Sequence, residues 1–521
     1  MNEIVNSSSN NEIESSSSIS GSNEATVVSN TIITSVEQSE NDVLLALEKK
    51  KKELMLAFLE ENNSQTIVIQ EKATTTEFEN NDNSSTTIIT ETDTMIIDNS
   101  NNNLLETNET ITMIHLKPNF DNMKAIIKSS NDDNNNQSGK DNFLKGIKFS
   151  PDGTCILSCS EDNYLKLFEL PSQEYIEQQQ QTNEIIDIKP ILNIKEYNTI
   201  YDYCWYPNMN SMYQETCCFL SSSSGVPMHL YDAFTGVLRG SYIPFKDVDD
   251  IETAYSVQFN QTGTKIYSGF KKSIKIFDIN RPGNDYDVIS TYKKKKRKLK
   301  GNYNDEYNDL ELAGIVSCIS FDKACNTGLF AAATYNGNLG LFDEKSNQLV
   351  DLIPFPKSMN NNSNVVTGIT QIMFSPLNGN YVFASYRKSN VIVGWDIRNT
   401  VAEQVYQFHR SLDTHQRMTF DIDPYSGRYL TTGSQDGDLH IYDLFEPEES
   451  KQLVQTTRLQ NSSVNGTSFH PFLPLLATSF GERSFNIKDD ECDHTNNNSI
   501  EQQQDRNRPN KLLEVFKFEI K

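Results

Sequence analysis

The stretch TIYDYCWYPNMNSMYQETCCFLSSSSGVPMHLYDAFTGVLRGSY, residues 199–242, displays one complete structural unit. It contains four short runs rich in apolar and aromatic residues, separated by turn residues such as Pro207 and Gly236. These runs are Ile200–Tyr206, Cys217–Ser223, Met228–Asp232 and Val237–Tyr242. This pattern predicts four strands in one antiparallel sheet. Apolar residues dominate both faces of these strands, so the sheet must stack on similar neighbours to be stable.

The ending of the third run recurs along the chain and reveals those neighbours. The ending is an apolar-x-apolar-aromatic-acid pattern, and its six copies finish at Glu169, Asp232, Asp278, Asp343, Asp396 and Asp443. The separations lie near or above the roughly 40 to 45 residues of a WD40 blade, and polar insertions account for the long intervals. A further aromatic-x-Pro start, Phe469-His-Pro471, opens a seventh unit. We therefore predict an all-β fold, a seven-bladed WD40 propeller formed by residues 118–521.

Two departures from the usual WD40 pattern limit this prediction. Trp395-Asp396 is the single literal WD dipeptide, and no Gly-His pair precedes a blade. The buried Asp-His hydrogen-bond network of many WD40 blades is therefore not expected here.

Several longer strings carry a closer resemblance. The start of the second unit, residues 199–207, and the segment 231–239 resemble the second blade of the telomerase Cajal body WD-repeat protein family. Strings resembling other blades of that family begin at Phe143, Arg281, Gly314, Trp395, Gln416 and Leu473. The resemblance covers roughly residues 141–483.

The resemblance implies a function. It implies a nuclear, non-catalytic scaffold that recognises a short loop motif in box H/ACA small Cajal body RNAs and in telomerase RNA. It also implies delivery of these particles to Cajal bodies, in support of telomerase assembly and telomere maintenance, with box H/ACA RNP proteins and telomerase as partners. The alternative is a generic WD40 protein-interaction adaptor in a nuclear complex.

The amino-terminal region differs from the propeller in composition. Residues 1–117 hold 20 acidic and 6 basic residues, a balance of −14 that is more than half of the chain's net charge of −25. Ser, Asn, Thr and Glu fill the region, so it lacks the apolar surface needed to offset chain entropy, and we predict disorder. Helical spacing of apolar residues predicts a short helix at 42–61, with Asp42 as its N-cap. Neither a signal peptide nor a membrane-spanning run is recognisable in the sequence.

The carboxy-terminal run 512–520 alternates cleanly and predicts a last strand. Propellers often close by pairing such a strand with an amino-terminal one, which either residues 111–117 or the segment before Phe143 can supply. The eight cysteines show no zinc-site spacing, and we expect no metal, no cofactor and no disulfide.

Basic residues stand out because the chain is so acidic. We assign no function to the Asn- and Gln-rich insertions at 172–184, 357–364 and 489–510. The insertion that begins at Lys293 differs, because seven of the eight residues at 293–300 are cationic. A nuclear localisation signal, a phosphate-contacting loop and a solvated linker all fit this run. The candidates for a localisation signal are Lys293, Lys294, Lys295, Lys296, Arg297 and Lys298.

The blade repeat also predicts where RNA would bind. In a WD40 blade, the turn between the second and third strands lies on the same face as the entrance of the first strand. Cations there neutralise phosphates and aromatic rings stack on unpaired bases. The candidates on this face are Lys271, Lys272, Arg387, Lys388, Arg417, Tyr201, Tyr255 and Tyr386. Blades one and six present acidic turns instead, at Glu161-Asp162 and Gln435-Asp436.

Catalytic motifs are not recognisable. The sequence has no Gly-x-Ser-x-Gly, no phosphate-binding loop and no histidine cluster, and the repeated aspartates end equivalent strands. We therefore predict that the protein is not an enzyme and has no small-molecule substrate.

Overall fold

The computed structural model describes residues 67–76, 89–98, 118–130, 142–182, 184–246, 250–292, 311–324, 327–353, 355–356, 368–400, 404–482 and 511–520. The chain divides into two compact units, Met1–Met113 and Ile114–Lys521. Within the first unit, strands β1 (Ile67–Thr76) and β2 (Ile89–Asp98) form an antiparallel hairpin. The helix predicted at 42–61 lies outside the described residues, and the disorder predicted for residues 1–117 stays a prediction.

The second unit is a ring of seven blades, so the predicted propeller is confirmed. It begins with β3 (Pro118–Ser130). Blade one comprises β4 (Leu144–Phe149), β5 (Cys155–Ser160), β6 (Tyr164–Glu169) and β8 (Leu192–Lys195). Helix α1 (Gln173–Thr182) and the short strand β7 (Ile186–Asp187) lie between β6 and β8 in the chain. Blades two and three comprise β9 (Ile200–Trp205), β10 (Cys218–Ser223), β11 (Met228–Asp232) and β12 (Leu238–Tyr242), then β13 (Ser256–Phe259), β14 (Lys265–Phe270), β15 (Ser273–Asp278) and β16 (Tyr286–Ser290). Blades four and five comprise β17 (Val316–Phe321), β18 (Leu329–Thr334), β19 (Leu339–Asp343) and β20 (Gln348–Ile353), then β21 (Ile369–Phe374), β22 (Tyr381–Tyr386), β23 (Val391–Asp396) and β24 (Tyr406–His409). Blade six comprises β25 (Phe420–Ile422), β26 (Tyr429–Gly433), β27 (Asp438–Asp443) and β28 (Leu453–Arg458), and blade seven contains β29 (Val464–Phe469), β30 (Leu475–Phe480) and β31 (Lys511–Ile520).

The four strands predicted in the stretch 199–242 are those of blade two, with bounds within one residue. Phe219 of β10 lies opposite Trp205 of β9 and Tyr231 of β11. The rings of Phe219 and Trp205 are 5.7 Å apart and edge-on, a favourable arrangement for a cross-strand aromatic pair.

The apolar residues of each blade pack between blades. Seven buried clusters of described residues lie one at each junction of the ring, such as the cluster of Leu157, Leu167, Tyr203 and Phe219 between blades one and two. Each sheet thus covers both of its faces with its neighbours, as the two-sided apolar strands require.

The carboxy-terminal strand closes the ring, as predicted. In blade seven, β31 pairs with β30 on one side and with β3 on the other, both antiparallel. The amino-terminal partner is therefore Pro118–Ser130, the segment before Phe143, and residues 111–117 lie outside the described residues. The short strand β7 adds a parallel edge to β3.

The polar insertion at 172–184 contains α1, whose Ile176 is buried in the cluster between blades seven and one. The insertions at 357–364 and 489–510 lie outside the described residues.

A buried carboxylate joins blade one to blade two. Glu196, between β8 and β9, is 1% exposed. Its carboxylate accepts hydrogen bonds from Ser221 Oγ at 2.5 Å, Ser223 Oγ at 3.0 Å and Tyr231 OH at 3.1 Å, and His229 Nδ1 lies 3.3 Å away. Burial acts to raise the pKa of Glu196, but the bonds from His229 and the serines outweigh it and lower the pKa below its usual value. Glu196 therefore fastens the connection from blade one to the middle strands of blade two.

A buried arginine, Arg410, joins blades five and six in the same way. Arg410, between β24 and β25, is 4% exposed and donates to Ser385 Oγ and Thr432 Oγ1, both at 2.6 Å. No carboxylate pairs with it among the described residues. Burial lowers its pKa to about 10, so it stays cationic at neutral pH.

Candidate nucleic-acid interface

Backbone hydrogen bonds place the second turn of each blade beside the entrances of first strands. Ser224 N donates to Thr199 O at 3.0 Å, and Arg387 N donates to Gly368 O at 2.8 Å. We call the face that carries these turns and entrances the entry face.

Two lysines on the entry face adopt a backbone conformation that most side chains avoid. Lys272 has φ 69° and Lys388 has φ 50°, both in the left-handed region. The corresponding turn residues in the other blades that show this conformation are Gly225, Gly337, Gly437 and Asn163. A residue with a Cβ pays roughly 1–2 kcal/mol for this conformation, which glycine avoids. In blades three and five the turn carries a lysine despite this strain.

Aromatic rings gather beside these turns. The rings of Tyr201 and Tyr255 are 5.2 Å apart, and the Arg387 guanidinium lies 5.0 Å from the ring of Tyr335. Tyr335 was missed by the sequence analysis. It occupies in blade four the turn position that Arg387 occupies in blade five, so reading every second turn in register would have found it.

Arg417 lies at the centre of the entry face and is already bonded. Its Nε donates to Thr370 O at 2.8 Å, Nη1 to Tyr201 O at 3.1 Å and Nη2 to Ser317 O at 3.2 Å. Nη1 also lies 3.8 Å from Asp202 Oδ1. Burial acts to lower the pKa of Arg417, but Asp202 and other neighbours outweigh it and raise the pKa. The side chain thus ties blade six to the first strands of blades two, four and five.

Tyr386 does not belong to this surface, and its inclusion among the RNA contacts was wrong. It is 1% exposed and packs edge-on against Phe355 at 5.2 Å. Tyr386 is the last residue of β22, and alternation along the strand turns its side chain into the core while Arg387 is exposed.

The four turn cations Lys271, Lys272, Arg387 and Lys388 are exposed. Lys272 Nζ lies 4.2 Å from the centre of the Tyr292 ring, and Lys388 Nζ lies 3.7 Å from Asp413 Oδ1. The second contact joins two exposed side chains and leaves the lysine largely available. Lys293, Lys294, Lys295, Lys296, Arg297 and Lys298 lie outside the described residues.

A central channel of about 1000 Å³ runs through the ring. Tyr201, Tyr335 and Arg417 line it near the entry face, and Pro151 and Pro376 line it near the turns that follow first strands. We call the face with these turns the opposite face. Polar side chains on first strands bond from the channel wall to the next blade, as where Gln371 Nε2 donates to Phe420 O at 2.7 Å.

Asp421 bonds across the same wall, and Phe469 N donates to its Oδ2 at 2.8 Å. Burial raises the pKa of this carboxyl to about 7. Because the pKa of Asp421 is higher in the folded protein, the protonated carboxyl stabilises the folded state fully at pH values below the unfolded-state pKa, near 4. This stabilisation is lost as the pH rises to about 7. We therefore expect Asp421→Asn to gain stability relative to the natural protein between pH 5 and pH 8. Urea unfolding of both proteins at the two pH values measures this, and an unchanged difference would contradict it.

The repeated aspartates are structural, as predicted. Asp232, Asp278, Asp396 and Asp443 each accept hydrogen bonds from backbone N–H groups of the turn that follows, at 2.8–3.0 Å. Among the described residues, no three His, Cys, Asp or Glu side chains are placed to share a metal ion. The six described cysteines are free thiols. No helix in the described ranges is long and apolar enough to cross a membrane.

Comparison with known proteins gives one family match and several similar proteins. The WD domain, G-beta repeat family matches residues 135–169, which include β4, β5 and β6 of blade one. The chain is 36% identical over 348 residues to Telomerase Cajal body protein 1 of Rattus norvegicus, covering 66% of this chain and 60% of the relative. It is 30% identical over 366 residues to the Telomerase Cajal body protein 1 homolog of Drosophila melanogaster, covering 69% and 60%. The chain is similar to the telomerase Cajal body proteins over about two thirds of its own length. The resemblance noted in the sequence is confirmed.

A more distant relative carries another name. The chain is 26% identical over 360 residues to Guanine nucleotide-binding protein negative regulator 1 of Schizosaccharomyces pombe, covering 68% of this chain and 83% of the relative. The chain spans about 60% of the length of the animal relatives it matches. The aligned lengths, 348–366 residues, are close to the length of the propeller.

Proposed function

We propose that the protein is a non-catalytic RNA-binding scaffold that acts in telomerase and Cajal body ribonucleoproteins. The observation that carries this proposal is the pair of lysines, Lys272 and Lys388, held in left-handed turns that three other blades fill with glycine. Strained residues at turns are retained where their side chains do something that glycine cannot do. Two strained cations on one face of an acidic protein fit a phosphate ligand.

The surroundings of these lysines suit single-stranded RNA. Tyr201, Tyr255 and Tyr335 offer rings on which unpaired bases can stack, and Arg387 adds a planar cation over one of them. Acidic turns in blades one and six, at Glu161 and Asp436, would repel the backbone from the other side of the ring. We therefore propose a contact surface of Lys271, Lys272, Arg387, Lys388, Tyr201, Tyr255 and Tyr335, with Arg417 as a positioning residue that holds the Tyr201 strand.

The resemblance noted in the sequence suggests which RNAs these are. We propose box H/ACA small Cajal body RNAs and telomerase RNA as ligands, their ribonucleoprotein partners and telomerase as the assembly, and the Cajal body of the nucleus as the location. The cationic run at 293–298 is the proposed nuclear localisation signal. No catalytic activity is part of this proposed role.

The test uses a change that removes the cations and relieves the backbone strain. The double variant Lys272→Gly, Lys388→Gly should fold at least as stably as the natural protein and should recover much less RNA after crosslinking in cells and sequencing. In vitro, the slope of log affinity against log salt should fall by about 1.4, since each phosphate contact on a single strand contributes about 0.7.

The matched control is Asn163→Gly, which makes the same backbone change in blade one and should leave RNA recovery unchanged. A tagged variant with residues 293–298 replaced by alanine, followed by microscopy in the same cells, should leave the nucleus. The proposal would be supported if box H/ACA RNAs are recovered with the natural protein and with Asn163→Gly but are lost from the double lysine variant. If no RNA class is enriched, the protein is better read as a protein-interaction adaptor.

A further inference from the structure

The turns that follow first strands, on the opposite face, differ around the ring. Five of these turns contain a proline, and the residue after the proline is polar in blades one and two, where it is Asp152 and Asn208. It is apolar in the three consecutive blades five, six and seven, where it is Leu377, Tyr425 and Phe472. Leu377 is 55% exposed and Tyr425 is 40% exposed, whereas Phe472 is half-buried. Blades five and six therefore present apolar side chains to solvent on this face.

The exposed apolar side chains meet at the junction between blades five and six. Leu377 lies against the backbone of Gly427, where an added Cβ atom would lie 3.2 Å from Leu377 Cβ. Tyr425 belongs to the same turn as Gly427. The Arg428 guanidinium, at the end of this turn, lies 5.7 Å from the centre of the Phe445 ring. Leu377, Tyr425 and Phe445 thus surround one turn of blade six, and we call these three residues the apolar patch.

Phe445 is held in place although it is exposed. The ring residue is 58% exposed, and its backbone N–H donates to Asp443 Oδ1 at 3.0 Å. Arg428 Nε donates to Asp443 Oδ1 at 2.9 Å and its Nη2 donates to Asp443 Oδ2 at 2.6 Å. Asp443 therefore fixes the ring and neutralises the cation beside it.

Negative charge borders the apolar patch. The two turns of blade six on this face, residues 423–428 and 443–451, hold five acidic and two basic residues, a net charge of −3. Both basic residues are paired, Arg428 with Asp443 at 2.6 Å and Lys451 with Glu448 at 2.7 Å. Glu448 and the neighbouring Glu449 are exposed. A partner that covers the patch meets this rim, so positive charge on the partner is favoured.

We propose that the apolar patch is a docking site for a basic amphipathic segment of a protein partner. Apolar side chains of the segment cover Leu377, Tyr425 and Phe445, and its lysines or arginines lie beside Glu448 and Glu449. A single exposed apolar residue is ordinary on a protein surface, but three that surround one turn within a polar rim are typical of an interaction site.

The apolar patch and the proposed RNA surface occupy different faces of the ring. Lys272 and Lys388 lie in turns after second strands, on the entry face. Tyr425 and Phe445 lie in turns after a first and a third strand, and antiparallel strands bring those turns to the opposite face. The inference therefore goes beyond the proposed RNA function and does not depend on it.

The experiment uses the full chain and a fluorescent probe peptide of about 14 residues, roughly four helical turns, with leucines at helical spacing and lysines elsewhere. Fluorescence anisotropy at constant ionic strength measures its affinity. Phe445→Ser should weaken binding about tenfold, as expected for the loss of an aromatic anchor, and Leu377→Ser should weaken it as well. Joint replacement of Glu448 and Glu449 by glutamine should weaken binding and lower its dependence on salt.

The matched control is Phe234→Ser in blade two. Phe234 is 53% exposed and donates its backbone N–H to Asp232 Oδ1 at 2.9 Å, so it repeats the setting of Phe445 in another blade. This variant should bind the peptide as the natural protein does. Thermal unfolding without the peptide should place both serine variants close to the natural protein, because both side chains are exposed.

Four results would overturn the site. They are no binding of the peptide, an unchanged affinity in Phe445→Ser, an equal loss in Phe234→Ser, and equal binding of a second peptide with glutamates in place of the lysines. Sedimentation of the natural protein and of Phe445→Ser tests another occupant. A dimer that is lost only in Phe445→Ser would assign the patch to a second copy of the chain and overturn the proposal.

An RNA arm tests the separation of the two faces. RNA recovery after crosslinking should be the same for Phe445→Ser and for the natural protein. A loss of RNA from Phe445→Ser would show that the patch serves the RNA ligand and would overturn a separate protein site.

Discussion

Deletion of β31, Lys511–Ile520, is expected to abolish the folded propeller. The strand is paired on both sides, with β30 and with β3, and its loss would expose two strand edges at once. Its buried apolar side chains are Leu512, Leu513, Val515, Phe516 and Phe518. Each contributes about 1.5–3 kcal/mol by burial, and together they approach the whole stability of roughly 5–15 kcal/mol of a typical domain. Soluble yield and a cooperative urea transition are the measurements.

The control is a deletion of ten residues, 494–503, within the polar insertion that precedes β31. Shortening such a connection changes its closure entropy by less than about 1 kcal/mol, so this variant should unfold almost as the natural protein does. A soluble β31 deletion with a natural unfolding midpoint would show that the ring does not need this strand.

Replacement of Glu196 by alanine is expected to destabilise the protein by about 3 kcal/mol or more. The carboxylate accepts hydrogen bonds from three buried hydroxyl groups, those of Ser221, Ser223 and Tyr231. Alanine leaves both serines without this acceptor, whereas Tyr231 OH keeps a second partner in His229 Nδ1 at 3.2 Å. Each buried donor left unsatisfied costs about 1–3 kcal/mol. Urea unfolding followed by tryptophan fluorescence measures the change, since Trp205 packs in the same blade.

Two further variants separate the network from the charge. Glu196→Gln keeps the shape and one acceptor, and we expect an intermediate loss. Glu215→Ala removes an exposed carboxylate from the same blade and should change stability by less than about 0.5 kcal/mol. Equal effects of Glu196→Ala and Glu215→Ala would mean that the buried network contributes nothing.

The blades could be predicted from sequence because each is local. The six endings at Glu169, Asp232, Asp278, Asp343, Asp396 and Asp443 lie on third strands at equivalent positions, and strand bounds in blade two agree within one residue. Ring closure was also readable, since β31 alternates clearly. Its partner was left open between two segments because pairing across roughly 380 residues leaves no local signal.

The connections between blades could not be predicted. Glu196 and Arg410 act through hydroxyl groups that lie far along the chain or in other blades, such as Ser385 and Thr432 for Arg410. A glutamate or an arginine in a polar connection looks like an ordinary surface residue until the neighbouring strands are placed. The absence of a Gly-His pair therefore did not indicate whether another residue would form a buried hydrogen-bond network between blades.

Turn residues of the candidate interface were partly predictable. Alternation along β22 points Tyr386 inward and leaves Arg387 exposed. Applying that alternation to the sequence would have removed Tyr386 from the candidate RNA contacts. The left-handed conformation of Lys272 and Lys388 was not readable from residue type, because lysine carries no preference for it. The bonds of Arg417 to three distant carbonyls required the closed ring.

The pairing of β3 with β31 sets the timing of assembly during synthesis. The ribosome makes β3 near the beginning of the propeller and β31 at its end, with 380 residues between Ser130 and Lys511. At about 5–20 residues per second, β3 waits some 20–80 s for its partner. Through that interval an open arc of blades exposes apolar faces at both ends and an unpaired strand, which is a hazard for aggregation. Production of this protein is therefore limited by how well the emerging chain is protected until β31 has been made.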